Sequence, residues 1–200
     1  MPNFRLMRIV HPHPHDAVRS TVHWTPGCFV CGRENTAGLQ AVVVTDGTAA
    51  YLRVTLADRF VGIPGSLHGG VIAAALDEAM WYAAYRYGIP SVTGSLEIRF
   101  VRPGVPGKPL LAVAWVETKE RPAAGQQGIP DSGRIGRAVA RLLDVEGRIV
   151  AAARGRFVRV PVPDAVHRVL RSEPAAPDVL DDIARWPGLD ALRGRITGGP

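Results

Sequence analysis

Leu67-His68-Gly69-Gly70 runs straight into Val71-Ile72-Ala73-Ala74-Ala75-Leu76, and two carboxylates, Asp77 and Glu78, follow in the same apolar stretch. Two glycines at a helix start let a ligand approach backbone N–H groups that have no partner within the helix. A carboxylate in apolar surroundings is costly unless it is paired or used. Desolvation raises its pKa, which suits a base working near neutrality. When a carbonyl is attacked, negative charge builds on its oxygen, and a fixed N–H donor at the positive end of a helix stabilises that charge. The stretch therefore reads as an oxyanion site and an acid/base residue carried on one helix.

Spacing divides the two carboxylates. Asp77 lies seven residues after Gly70 and returns to nearly the same helix face, about 10 Å further along. Glu78 stands about 100° round the helix from Asp77 and is read as a structural carboxylate. Plainer readings stand beside the chemical ones: Asp77 pairs with an arginine, or His68 caps the helix.

The elements that must position these residues are legible from periodicity and punctuation. Val42, Val43 and Val44 lead to an Asp46-Gly47 turn and an alternating run to Leu56, which predicts a hairpin over 38–57. Ile63-Pro64-Gly65-Ser66 precedes a helix over 69–87, and Gly88-Ile89-Pro90 ends it. Apolar residues surround that helix on almost every side, so burial is expected. Three or four strands follow: Ser91 to Arg102, where Leu96, Ile98 and Phe100 alternate with Glu97, Arg99 and Val101; Leu110 to Glu117; Ile135 to Val145; and Ile149 to Val160. A mostly antiparallel sheet with one long helix packed on it results, an α+β fold. Residues 1–27, with His11-Pro12-His13-Pro14-His15, read as an irregular arm. Residues 161–200 read as a Pro-rich tail with short helices at 164–172 and 178–186.

The chain has 200 residues, 46% hydrophobic and 21% charged, with a net charge of +6. The positive charge is scattered arginine rather than a basic run, so neither nucleic acid nor a membrane is expected as partner. No apolar segment reaches membrane-spanning length, and no signal-peptide core follows the N-terminus, so the cytoplasm is expected. Cys28 and Cys31 are too few for a disulfide framework. With His23 they supply three of the four ligands of a structural zinc site, so they are read as a turn, and no metal or cofactor is expected.

Cys31-Gly32-x-x-Asn35-x-x-Gly38-Leu39, His68-Gly69-Gly70 with Asp77 nine residues on, and Thr93 opening a strand that ends at Pro103 occur in that order. This set resembles the hotdog-fold acyl-CoA thioesterases of the phenylacetate-pathway type over about residues 28–160. The resemblance implies a sheet wrapped around a central helix and hydrolysis of an acyl-CoA thioester. It implies that the Gly69 N–H binds the thioester oxygen with Gly70 beside it, and that His68 positions or polarises that group. Asp77 would serve as nucleophile or general base and Thr93 as a hydroxyl holding the water or intermediate, although a Thr in a strand needs no such role. Many relatives carry Asn or Gln six residues before the His, where this chain has Gly62. The site of such proteins lies between subunits, which answers the long reach from Gly70 to Asp77 and implies a homodimer or dimer of dimers. Arg99, Arg102, Arg154 and Arg156 are candidates for CoA phosphates. Trp81, Tyr82 and Tyr85 line either an acyl pocket or the core. Two other readings remain, a non-catalytic acyl-CoA-binding protein and an enoyl-CoA hydratase; the latter's Asp and His usually lie five residues apart, unlike His68 and Asp77.

Overall fold

The computed structural model describes residues 20–23, 26–46, 48–85, 91–117, 136–159, 171–174 and 177–197. In chain order these form β1 (Ser20–His23), β2 (Val42–Thr45), β3 (Ala50–Thr55), a single 3-10 turn (Asp58–Phe60), β4 (Val61–Ile63) and β5 (Ser66–Leu67). Then come α1 (Gly69–Tyr85), β6 (Ser91–Phe100), β7 (Pro109–Val116), β8 (Gly136–Leu143), β9 (Ile149–Arg159), β10 (Arg171–Pro174), α2 (Pro177–Ala184) and α3 (Leu189–Thr197).

Eight strands make one sheet in the order β10-β1-β2-β3-β7-β8-β9-β6, and every pairing in it is antiparallel. β4 and β5 form a separate two-stranded ribbon that leads into α1. The helix lies on one face of the large sheet. Strand positions beneath it are small or slender: Ala112 and Ala114 on β7, Ala138 and Ala140 on β8, Ala151 and Ala153 on β9. At Gly155 an added Cβ would come within 2.9 Å of the Phe157 ring and 3.3 Å of Met80 Cε, so the glycine makes room for the helix.

The opposite face is covered by the tail. Ile183 of α2, Trp186, and Leu189 and Leu192 of α3 pack on Val44, Tyr51, Leu111, Val113 and Leu143. Trp186 Nε1 donates to the Asp144 carbonyl at 2.9 Å, and Arg53 pairs with Asp182 at 3.1 Å. Two faces buried at once explain why β7 reads as an unbroken apolar run rather than an alternating one.

Several expectations are corrected. The hairpin closes through residues 46–49, since Thr45 pairs with Ala50, rather than through a two-residue turn. Asp46 Oδ1 organises that loop by accepting the Thr48 and Ala49 N–H groups. The arm contributes a strand, β1, and the tail contributes β10, which pairs with it. Residues 171 and 172 are therefore extended, and the rest of the helix expected at 164–172 lies outside the described residues, as do the His-Pro run and the Gly88-Ile89-Pro90 stop. α3 was not expected. Finally, α1 is buried only on the faces carrying Ile72, Ala75, Leu76, Ala79, Met80 and Tyr82; Asp77, Glu78, Trp81 and Tyr85 are half-buried.

Candidate active site

The β4–β5 ribbon delivers His68 to the start of α1. The Leu67 N–H donates to Gly104 O and the His68 N–H to Phe60 O, both at 2.8 Å, so the approach is fixed from two sides. The His68 carbonyl then accepts the N–H groups of Val71 at 3.0 Å and Ile72 at 3.2 Å. His68 Nδ1 accepts the Gly70 N–H at 3.0 Å, which makes the imidazole a cap on the first turn. With Nδ1 accepting, the neutral ring carries its proton on Nε2. The capping alternative is thus realised, and it leaves Nε2–H as a donor.

Gly70 differs from expectation. Its N–H is engaged by His68, and a Cβ at Gly70 would lie 3.0 Å from Nδ1. The N–H of Gly69 has no hydrogen-bond partner among the described residues. Gly69 lines a groove together with Gly62, Leu67, His68, Phe100 and Arg102. A Cβ at Gly62 would stand 3.0 Å from both Cα and Cδ2 of His68, so position 62 directly abuts the imidazole. Phe100 is 52% exposed and stands over Gly69.

Asp77 sits two helical turns beyond the groove, which it does not line. Its Oδ1 accepts the Thr93 hydroxyl at 2.8 Å. Burial raises the Asp77 pKa and the Thr93 hydrogen bond lowers it, with burial the larger effect. Within the chain the structure brings Asp77 and Thr93 together, and His68, Gly69 and Gly62 together, as two separate clusters.

Comparison with known proteins finds a likeness to thioesterases. The thioesterase superfamily model matches residues 64–121, the stretch that contains His68, Gly69, Asp77 and Thr93. A crystal structure of a thioesterase superfamily protein is similar at 25% identity and a TM-score of 0.58, over 68% of this chain and 61% of that one. The chain thus spans about three-fifths of that protein's length. The E. coli PaaI protein from the phenylacetic acid degradation operon is similar at 25% identity and a TM-score of 0.53, over 64% of this chain and 88% of that one. Among curated protein sequences no significant match is found. The chain has the hotdog fold, and it is similar to thioesterase superfamily proteins.

In this hotdog protein the remaining candidates separate cleanly. Of the four arginines, only Arg102 lines the groove, where its guanidinium also donates to the Ile149 carbonyl at 2.8 Å. Arg154 and Arg156 alternate with Ala153, Gly155 and Phe157, which face α1, so both point from the opposite face of the sheet. Trp81 Nε1 donates to the Ser91 carbonyl at 2.8 Å, and the Trp81 and Tyr85 rings stack at 4.8 Å. Tyr82 is buried, as the core reading holds.

Glu78 and the two cysteines meet, which the sequence reading missed. Cys28 Sγ lies 3.3 Å from Glu78 Oε1, and Cys31 Sγ lies 3.2 Å from the Tyr82 hydroxyl. The hydrogen bond from Cys31 brings the Cys28 thiol down to about 5, while burial pushes Glu78 up to about 8. The one available signal was a second carboxylate in an apolar helix with a Cys-x-x-Cys pair elsewhere in the chain. The side chain of His23, the third ligand considered from sequence, lies outside the described residues. Among the described residues no helix is long and apolar enough to cross a membrane.

Proposed function

We propose that this chain hydrolyses the thioester bond of an acyl-CoA in the cytoplasm, as a homodimer or a dimer of dimers. The observation that carries the reading is the N–H of Gly69, unpartnered among the described residues, at the positive end of α1 in a groove that His68 also lines. In this reading the Gly69 N–H, with the His68 Nε2–H as a second donor, stabilises an oxyanion on the thioester carbonyl. Asp77 acts as nucleophile or as general base for water, with Thr93 fixing its carboxylate, and burial, which raises its pKa, makes it a better proton acceptor. Gly69 and Asp77 are eight residues apart on one helix, about 12 Å, so the Asp77 that completes a groove comes from a second subunit.

Three features support assembly and location. β6, ten residues long, is an edge strand with no neighbour on its outer side among the described residues. Val92 and Phe100 on it are half exposed, a surface that a second copy would cover. Both cysteines are free thiols, as in a reducing compartment.

A non-catalytic acyl-CoA-binding role is favoured by one observation, Gly62, which puts no side chain against His68 where an amide would act as a further donor. Release of free CoA thiol from a panel of acyl-CoA esters separates the two readings. Turnover that Asp77→Asn abolishes, with ester binding retained, supports the hydrolase. Binding of CoA esters without any turnover supports the binding protein.

A further inference from the structure

The reaction proposed above leaves Cys28, Cys31 and Glu78 unused, although the fold prepares them with care. The Gly32 N–H closes their turn onto the Cys28 carbonyl at 3.1 Å. A Cβ at Gly32 would come within 2.4 Å of Cys28 N and 2.5 Å of Cys28 O, so the turn that sets the two thiols side by side requires glycine there. The Leu39 and Ala41 N–H groups, bonded to the Phe29 and Val30 carbonyls at 2.8 Å, clamp the loop from its far side. The Val30 N–H donates to Cys28 Sγ at 3.4 Å, and the Cys28 thiol in turn donates to Glu78 Oε1 at 3.3 Å, the proton that a bound metal would displace.

α1 supplies the third donor. Glu78 and Tyr82 are one helical turn apart and face the loop together, Glu78 against Cys28 and Tyr82 against Cys31. The two sulfurs and a Glu78 oxygen lie within 4.8 Å of one another. Bonds of about 2.3 Å to sulfur and about 2.1 Å to oxygen around a tetrahedral ion put ligands about 3.5–3.8 Å apart, so only a small contraction is required. Among the described residues no Lys, Arg or His forms a salt bridge with Glu78.

We propose that Cys28 Sγ, Cys31 Sγ and one Glu78 carboxylate oxygen bind a zinc-class divalent cation that ties the 26–41 loop to the middle of α1. The thiolate pair selects a borderline-soft ion over magnesium or calcium. Water entering from the half-exposed Cys28 side takes the fourth position, and the Tyr82 hydroxyl donates to the Cys31 sulfur as an outer-shell partner. Binding releases the thiol protons to solvent, with no change of oxidation state.

The test is metal retention by the full chain. Reduced protein is incubated with zinc chloride, desalted and assayed for metal by mass spectrometry; cobalt in place of zinc adds an optical readout. About one zinc per chain is expected, with an intense thiolate-to-cobalt band in the near ultraviolet. Cys28→Ser and Cys31→Ser should lose both, Glu78→Gln should weaken zinc at least about tenfold, and Asp77→Asn should keep full stoichiometry. Circular dichroism of each variant reports its fold, and the cobalt spectrum of the unsubstituted chain depends on no variant. The proposal is overturned if the unsubstituted chain retains no more zinc than the double serine variant, or if Glu78→Gln binds as tightly. It is also overturned if the cysteines close into a disulfide equally fast with and without zinc.

Discussion

The Thr93 hydroxyl donates to Asp77 Oδ1 at 2.8 Å, joining the edge strand β6 to the middle of α1. In the proposed hydrolysis, Oδ2 of Asp77 is the oxygen that would meet a nucleophilic water or an acyl carbon. Asp77→Asn should lower kcat by about 10²–10⁴-fold, the usual span for a positioned acid/base group. Thr93→Val should lower it by about tenfold, one charge-assisted hydrogen bond's worth. Thr93→Ser should restore most of that loss, which a merely structural threonine would not require. Steady-state hydrolysis of a single acyl-CoA by the four proteins reads the order.

Gly62 abuts His68, and this contact carries its own expectation. In Gly62→Ala the new Cβ meets the imidazole at 3.0 Å, so the ring must tilt away from its bond to the Gly70 N–H. Activity should fall by about tenfold or more while the melting temperature moves little, since position 62 is exposed. An unchanged rate would mean that His68 does not act at the reacting carbonyl.

The hairpin loop gives stability a pH dependence with a definite sign. Asp46 accepts N–H groups from Thr48 and Ala49, the Thr48 hydroxyl at 2.7 Å and the Tyr51 hydroxyl at 2.6 Å. Burial pushes its pKa up, and these hydrogen bonds together more than reverse that, leaving it below the ordinary value. A carboxylate whose pKa is depressed by folding contributes stability that is full above its unfolded pKa and is lost as pH falls through the folded one. Asp46→Asn should therefore be less stable at neutral pH by about 1–3 kcal/mol. That gap should narrow by about pH 3 in urea unfolding.

Much of this architecture was legible because its signals are local. Three valines before Asp46 and an alternating run after it define the hairpin, and the Ala-rich segment from Gly69 defines α1. β10 and α3 escaped because prolines interrupt the tail's periodicity; β10 is defined by its backbone pairing with β1, and Leu189 and Leu192 of α3 find their apolar partners only on the outer sheet face. The continuous apolar run of β7 did record that docking. At the site, His68 and Asp77 stood out through residue type and spacing. The bond from Gly70 to His68 Nδ1 depends on a rotamer, and the meeting of Cys28 with Glu78 spans fifty residues, so neither leaves a local pattern.

The tail's contribution is measurable. Trp186 is 9% exposed against the outer face of the sheet. Trp186→Ala should destabilise by about 3 kcal/mol through lost packing and the lost bond to Asp144. Chemical unfolding should show this, with catalytic activity at low temperature retained because the indole lies on the face away from α1.

Whether the two half-sites come from different subunits is decided by mixing inactive partners. An Asp77→Asn protomer keeps its His68 and Gly69; a His68→Ala protomer keeps its Asp77. If each site joins one chain's helix start to the other chain's Asp77, a mixed dimer holds one wholly intact site and one doubly damaged site. Co-refolding equal amounts of the two variants should then recover about a quarter of the unsubstituted activity, since about half the dimers are mixed. Recovery no greater than the average of the two variants alone would contradict a site shared between subunits.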